Sequence, residues 1–465
     1  MSVKDTICAI ATGGMGGSGI GIIRVSGEDA ISICDKVFKG KKRISEMETY
    51  TAAFGNIVNR RAGDQVVDEA IALVMKAPHS YTTEDTVELD CHGNAFLLQK
   101  VLELLIAEGA RIAEPGEFTK RAYMGGRIDM SEAEAVMDVI NAEGNAALSA
   151  SMNQLRGGLK KKIISLREKI LYDTAYIESA LDDPENYSLE GFLERLDKNV
   201  DEVRSEIDIL LNTCEDGRLI KEGIRTAIVG KPNVGKSSIL NMILEEDRAI
   251  VTNIEGTTRD TLEEYVRLKG VLLKLIDTAG IRDTEDLVER IGVEKACENI
   301  EKADLVLFIT DGARELDKND EEIISHFADK TVITLINKED LETVIDRERL
   351  EKLLAANGCV PRILTVSAAE NTGREELSSL IKELFMKGEA VYNNQIIISN
   401  SRHKEALINA DEALKRVKDS IAQMLPEDFY TIDLMAAYES LGLVIGETLE
   451  DDLADKIFAE FCMGK

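Results

Sequence analysis

The chain has 465 residues, enough for about two to four domains, and its 44% apolar and 31% charged content is that of a soluble globular protein. A net charge of −30 argues against binding nucleic acid or an anionic membrane through the whole surface, so a polyanionic substrate would need local patches or a partner. No apolar run approaches the ~18 residues that cross a bilayer and no basic-then-apolar signal opens the chain; seven scattered cysteines without a CxxC pair suit a reducing cytoplasm rather than a disulfide scaffold or a zinc site.

Residues 1–125 hold 14 basic against 17 acidic side chains, so most of the negative charge lies further along. To about residue 120 the pattern is mixed α/β. Gly19–Val25 and Glu69–Met75 read as strands, and Phe96–Ala107 as a helix, with Gly and Pro at the joins. Residues 129–182 change to helical periodicity through Ile163, Leu166, Ile170, Ile177 and Leu181, until Asp182-Asp-Pro184 breaks the run. Another helix fits Leu189–Cys214. Two basic islands, Lys39-Gly-Lys-Lys-Arg43 and Arg156 with Lys160, Lys161, Lys162, Arg167 and Lys169, read most simply as solvated faces.

Arg225–Val229 is a short apolar strand that runs into Gly230-Lys-Pro-Asn-Val-Gly-Lys-Ser237 and then a helical stretch, Ser238–Leu244. Glycines let backbone N–H groups of Asn233, Val234, Gly235 and their neighbours approach phosphate oxygens, while the new helix offers its positive end to the anion. Lys236 adds a point charge, and the Ser237 hydroxyl, followed by Ser238, can ligate magnesium. Val271–Ile276 reads as a strand ending in Asp277-Thr278-Ala279-Gly280, whose carboxylate would hold magnesium through water and whose glycine would sense a terminal phosphate. Two further strands, Asp304–Ile309 and Thr331–Ile336, follow, the second leading to Asn337-Lys338-Glu339-Asp340. The Asp340 carboxylate accepts from the N1–H and N2–H donors of guanine, a pair that adenine lacks. A last strand, Arg362–Val366, ends at Ser367-Ala368, where a backbone amide could meet the guanine carbonyl. Five elements in this order define a guanine-nucleotide domain at about 223–386.

Before the DxxG strand lies a switch-like stretch, Val251–Asp260, in which Thr258 is placed to reach magnesium and the γ-phosphate. Ile281 follows DTAG where many signalling GTPases carry a water-orienting glutamine, and an aliphatic chain cannot polarise water. After the GTPase segment Arg402–Met424, Thr431–Leu443 and Ile445–Phe461 read as helices, and the chain closes on Phe461-Cys462-Met463-Gly464-Lys465. The simplest organisation is multi-domain α/β and all-α. An N-terminal α+β domain occupies 1–125, and one helical domain (126–222 and 387–465) is interrupted by an inserted P-loop α/β GTPase domain at 223–386.

These residues together resemble the MnmE (TrmE) family of tRNA-modification GTPases over essentially the full chain. The resemblance rests on Asp5-Thr-Ile7, Ser80-Tyr-Thr82 with Glu84-Asp85, Cys91-His-Gly93, Pro115–Arg121 and Ser131–Ala135 as well as the GTPase motifs. Glu289-Arg-Ile-Gly292 and the terminal C-x-G-K complete it. Met463 departs from the smaller aliphatic usual there, and the stretch Gly13–Gly19 is richer in glycine than the family pattern.

The resemblance implies a cytoplasmic homodimer that works with the flavoprotein MnmG in a heterotetramer. The pair would install a carboxymethylaminomethyl or aminomethyl group at C5 of the wobble uridine of certain tRNAs. The one-carbon unit would come from a 5-formyl or methylene tetrahydrofolate derivative, with FAD and NADH supplied on the partner. By position, Arg24, Glu88, Arg127 and Lys465 would bind the folate, in an N-terminal tetrahydrofolate-binding and dimerisation domain. GTP hydrolysis would depend on K+ held by Asn233, Thr252, Ile254 and Thr257, with Mg2+ on Ser237 and Thr258. Thr252, Asn253, Ile254, Glu255, Gly256, Thr257 and Thr258 would together form the nucleotide-facing switch. Glu289 would orient the attacking water, and Cys462 would take part in modification. The alternative is a binding-only GTPase switch in ribosome assembly, which has no reason to carry the N-terminal module or Cys462.

Overall fold

The computed structural model describes residues 5–12, 18–142, 144–183, 185–187, 191–244, 264–276, 297–385, 395–447, 457–458, 461 and 464. They form two compact units, residues 1–140 with 154–204 and 405–465, and residues 141–153 with 205–404.

The first unit is built on β1 (Ile7–Ile10), β2 (Ile20–Ser26), β3 (Phe38–Gly40), β4 (Thr51–Asn59), β5 (Gln65–Met75), β6 (Thr86–His92) and β7 (Arg111–Ile112). They make one sheet in the order β3-β4-β5-β6-β2-β1-β7, antiparallel throughout except for β1 beside β7. Helices α1 (Ala30–Val37) and α2 (Ala95–Ala107) belong to the same unit. Strand side chains alternate between faces, so Ile23 and Val25 of β2 and Val87, Leu89 and Cys91 of β6 are buried in one core with Ile33, Val37, Val101 and Leu105 of the helices. The same alternation turns Arg24 and Glu88 to the other face, where pairing sets them directly opposite one another. The seven-residue alternation of β6 escaped the sequence reading, although Val87, Leu89 and Cys91 carry it.

Helices α3 (Glu117–Met124) and α4 (Met130–Ile140) follow, and then α5 (Asn145–Leu155) and α6 (Gly158–Asp182). The single helical run expected over 129–182 is therefore three helices. The break before α6 falls at Gly157, whose φ of 76° is a left-handed conformation that glycine adopts without a Cβ penalty. α7 (Phe192–Asn212) lies within the expected span, and α8 (Cys214–Glu222) was not anticipated. Later in the chain come α13 (Ser401–Ala422) and α14 (Glu427–Ile445), the latter stopped by Gly446 at φ 85°. Ile445 thus ends a helix rather than starting one; residues 448–456 of that expected helix lie outside the described residues. Much of the second basic island is neutralised internally. Lys160 sits 3.5 Å from both Asp129 and Glu132, Lys169 pairs with Glu202, and buried Arg167 meets Glu447 at 2.6 Å with its guanidinium over the Tyr438 ring.

The second unit holds β8 (Ile224–Val229), α9 (Lys236–Leu244), β9 (Glu264–Leu268), β10 (Val271–Leu275), β11 (Leu305–Asp311), α10 (Lys318–Ser325), β12 (Thr331–Asn337), α11 (Arg347–Ala356), β13 (Ile363–Thr365) and α12 (Arg374–Phe385). The sheet order is β13-β12-β11-β8-β10-β9, parallel except for the edge hairpin β9–β10. Both faces are covered, as the near-continuous apolar strands require. Leu305, Leu307 and Ile309 of β11 join the core with Ile239, Leu240 and Ile243 of α9. Val306 and Phe308, pointing the other way, join Ile323, Ile324 and Leu350 from α10 and α11. Strand order reverses on either side of β8, and the crevice beyond the carboxyl ends of such strands is where ligands bind. Among the described residues no helix is long and apolar enough to cross a membrane.

Candidate functional site

The loop after β8 is shaped by its backbone. Gly230 has φ 151° and Gly235 φ 98°, and non-glycine Asn233 also takes a left-handed φ of 65°. A Cβ on Gly230 would lie 2.3 Å from the Ile309 carbonyl oxygen, and one on Gly235 only 2.1 Å from Asn337 Nδ2, so neither position admits a side chain. Val234 is buried and pins the loop; Asn233, Ser237 and Ser238 are exposed at the start of α9. Lys236 reaches back across the ring and donates to the carbonyls of Gly230 at 2.8 Å and Lys231 at 2.7 Å. Burial pushes its ammonium from the ordinary 10.5 down to about 8. A cation held over the N-terminus of a helix and desolvated in this way would be stabilised by an anion in the loop.

Asn337, at the end of β12, joins this loop to the loop at Ser367-Ala368. It is 3% exposed; its Nδ2 donates to the Val234 carbonyl at 2.9 Å, and its Oδ1 accepts from the Ala368 amide at 3.1 Å. Asp340 is exposed and accepts from Ser367 Oγ at 2.5 Å, while that Oγ accepts in turn from the Glu370 amide. The Ser367–Thr372 backbone pair closes this loop into a tight bridge. Lys338, at φ 69°, donates to Asp311 Oδ2 at 2.7 Å. Burial opposes the charge on Asp311, but Lys338 and the Ala313 amide prevail and hold its carboxyl below the usual range.

The structure therefore brings together Asn233, Val234, Gly235, Lys236, Ser237 and Ser238 with Asn337, Lys338, Asp340, Ser367 and Ala368. The expected switch residues Thr252, Asn253, Ile254, Glu255, Gly256, Thr257 and Thr258, the DxxG residues Asp277, Thr278, Ala279 and Gly280, and Glu289 lie outside the described residues. The sequence reading missed Asp311, whose signal is a carboxylate closing an otherwise apolar strand. It also missed the anchoring of Lys231, whose ammonium lies 2.8 Å from Asp317 and 2.7 Å from Asp320 at the capped start of α10.

In the first unit three of the residues expected at a folate site lie close together. Arg24 Nε donates to Glu88 Oε1 at 2.8 Å, and its guanidinium sits 5.6 Å from the centres of the Tyr81 and Phe118 rings. Arg127 donates to the Tyr81 carbonyl at 2.9 Å and lies 4.9 Å from that ring's centre. Arg24 Nη1 is also 3.4 Å from the Gly464 carbonyl oxygen, across 440 residues of sequence. Cys462 and Lys465 lie outside the described residues.

The strand order, the glycine-built loop ahead of α9 and the Asn337 bridge define a P-loop GTPase. Comparison with known proteins places it more closely. The family model for the MnmE helical domain matches residues 130–462, and that for the GTP-binding protein TrmE N-terminus matches residues 6–127. "tRNA modification GTPase MnmE" of Lachnoclostridium phytofermentans is 50% identical over 464 residues, 99% of each chain. Proteins of the same name from Thermoanaerobacter pseudethanolicus and Clostridioides difficile are 46% and 44% identical, each over 100% of both chains. The chain belongs to the MnmE (TrmE) family of tRNA modification GTPases. The FeoB G-domain from Methanococcus jannaschii, a solved structure, is 26% identical over 35% of this chain and 98% of its own, with a TM-score of 0.25.

Proposed function

We propose that this chain hydrolyses GTP in a potassium-dependent cycle that drives modification of tRNA wobble uridine at C5. In this reading it acts as a cytoplasmic homodimer with the flavoprotein MnmG, which supplies FAD and NADH, and takes its one-carbon unit from a tetrahydrofolate. The observation that carries the folate part is Arg24, which pairs with Glu88, shares the Tyr81 ring with Arg127 and lies 3.4 Å from the carbonyl of Gly464. A pterin edge offers donors to Glu88, and the two guanidinium groups present forked donors to ligand carbonyls or carboxylates. The domains proposed are 1–125 for folate and dimerisation, 126–222 with 387–465 for the helical part, and 223–386 for the inserted GTPase.

For GTP, the reading rests on this chain's own groups. Backbone amides of the loop and Lys236 bind the phosphates, Asn337 fixes the distance between phosphate and base loops, and Asp340 selects guanine. Magnesium accompanies the triphosphate in this class, and the exposed Ser237 hydroxyl on the first turn of α9 suits it as a hard oxygen ligand. Asn233, Thr252, Ile254 and Thr257 are proposed for potassium, Thr258 for magnesium, Glu289 for orienting water and Cys462 for the modification step.

Two measurements test the proposal. The full-length protein should bind 5-formyltetrahydrofolate, read by its ultraviolet absorbance after desalting, and Arg24→Ala should weaken that binding. A strain lacking the protein should lose the modified wobble nucleoside from its tRNA. Retention of the nucleoside would overturn the reading.

A further inference from the structure

Three motifs of the first unit are not used by the ligand residues themselves: Asp5-Thr-Ile7, Ser80–Asp85 and Pro115–Arg121. In the structure they converge. Arg121, only 6% exposed, donates to the Asp5 carbonyl and carboxylate, to both oxygens of Glu84 and to Glu117 Oε1. Glu84 also accepts from Ser26 Oγ, which lies 2.6 Å from Thr82 Oγ1. The turn that follows Tyr81 is thus tied through Glu84 to a buried guanidinium, and the Tyr81 hydroxyl is 3.0 Å from Thr119 Oγ1 on α3. What this frame presents is one aromatic ring close to two cations, Arg24 at 5.6 Å and Arg127 at 4.9 Å. Arg24 has a carboxylate partner in Glu88; Arg127 is exposed and donates to the Tyr81 carbonyl.

We propose that Tyr81 is a positioning residue of the ligand site. Its ring face attracts both guanidinium groups and offsets their mutual repulsion, so that their N–H edges are set in advance for one anionic or carbonyl-rich ligand. The inference rests on the folate reading for the identity of that ligand, but not for the geometry. The frame of Arg121, Glu84 and Asp5 acts on Tyr81, not on the ligand. A ring near two cations contributes through its quadrupole, which phenylalanine shares and leucine lacks.

The test uses the full-length protein and the Tyr81→Phe and Tyr81→Leu variants, with 5-formyltetrahydrofolate as the probe. Two cation–π contacts predict that Tyr81→Leu loses about 5- to 30-fold in affinity, while Tyr81→Phe stays within about twofold of the parent. Phenylglyoxal labelling of Arg24 and Arg127, read by mass spectrometry without ligand, should be faster in Tyr81→Leu and unchanged in Tyr81→Phe. GTP hydrolysis and the unfolding temperature report whether each variant is folded. Parent-like labelling in Tyr81→Leu would overturn the proposal, as would equal losses in both variants at an unchanged unfolding temperature. A parent that fails to bind the folate, but whose Tyr81→Leu variant labels faster, would remove the folate reading and leave the positioning role standing.

Discussion

Asp340→Asn should turn the nucleotide preference from guanine toward xanthine. In the folded protein the carboxylate is held by Ser367 Oγ at 2.5 Å, and Asn337, three residues earlier, is locked between Val234 and Ala368. The Ser367 contact can survive the change, since an asparagine oxygen also accepts from Ser367 Oγ. Guanine gives two donors to the carboxylate, and an amide can accept only one while setting its own NH2 against the other. Hydrogen bonds to a charged group contribute ~1.5–3 kcal/mol each. Asp340 is exposed, so the lower value applies, and losing one such bond while opposing a second donor removes about 3 kcal/mol. That is on the order of 10²-fold in GTP affinity. Xanthine replaces the 2-amino group with a carbonyl and so pairs with the amide donor, which should bring XTP above GTP. Competition of each nucleotide against a fluorescent guanine nucleotide reads both affinities. A variant that keeps the parent preference for GTP over XTP would refute the role given to Asp340.

Four further outcomes follow from the same geometry and from the proposed function. Gly235→Ala should abolish measurable GTP binding and lower the unfolding temperature, because its Cβ meets Asn337 Nδ2 at 2.1 Å and Asn337 is fixed by two hydrogen bonds; calorimetry and nucleotide titration check it. Lys236 titrates near 8 in the free protein, against an ordinary 10.5. Its charge is therefore disfavoured by folding, so this group's contribution to stability improves as pH rises from about 8 toward 10.5, while GTP binding above pH 8 should take up a proton; titration calorimetry in buffers of different ionisation enthalpy measures that uptake. GTPase activity should be higher in KCl than in NaCl at equal ionic strength, and Asn233→Ala should erase the difference. Cys462→Ser should leave GTP hydrolysis near the parent rate and abolish wobble-uridine modification, as nucleoside analysis of tRNA would show.

Legibility in the sequence followed the physics of each element. Strands β8, β10, β11, β12 and β13 were readable because a parallel sheet buried on both faces demands short unbroken apolar runs, and the loops at their ends carry chemistry at fixed offsets. β4 and β6 were not read, since an antiparallel strand with one open face alternates Val87, Leu89 and Cys91 with Glu88, Asp90 and His92 and so lacks such a run. The helical stretch over 129–182 looked continuous because periodicity survives a glycine, whereas the chain direction changes at Gly157 through its backbone torsion. Within the candidate site, motif spacing proposes Lys236, Asn337 and Asp340. It does not propose Asp311, Asp317 and Asp320, because their partners Lys338 and Lys231 are reached only through the fold.

The distribution of paired charge explains how a chain of net charge −30 can still offer sites to anions. Lys160, Lys169 and Arg167, conspicuous as a basic island in the sequence, are each met by a carboxylate, so their positive charge is largely spent within the fold. Lys236 and Arg127 are different. Among the described residues, the groups that hold Lys236 are two backbone carbonyls, and those that hold Arg127 are a carbonyl and the Tyr81 ring. Such partners orient a cation without neutralising it, and they leave its charge to be matched by whatever anion enters. The density of lysine and arginine along the sequence is therefore a poor guide to anion binding here. For Lys236 and Arg127 the informative property is the neutrality of their neighbours, which only the folded chain displays.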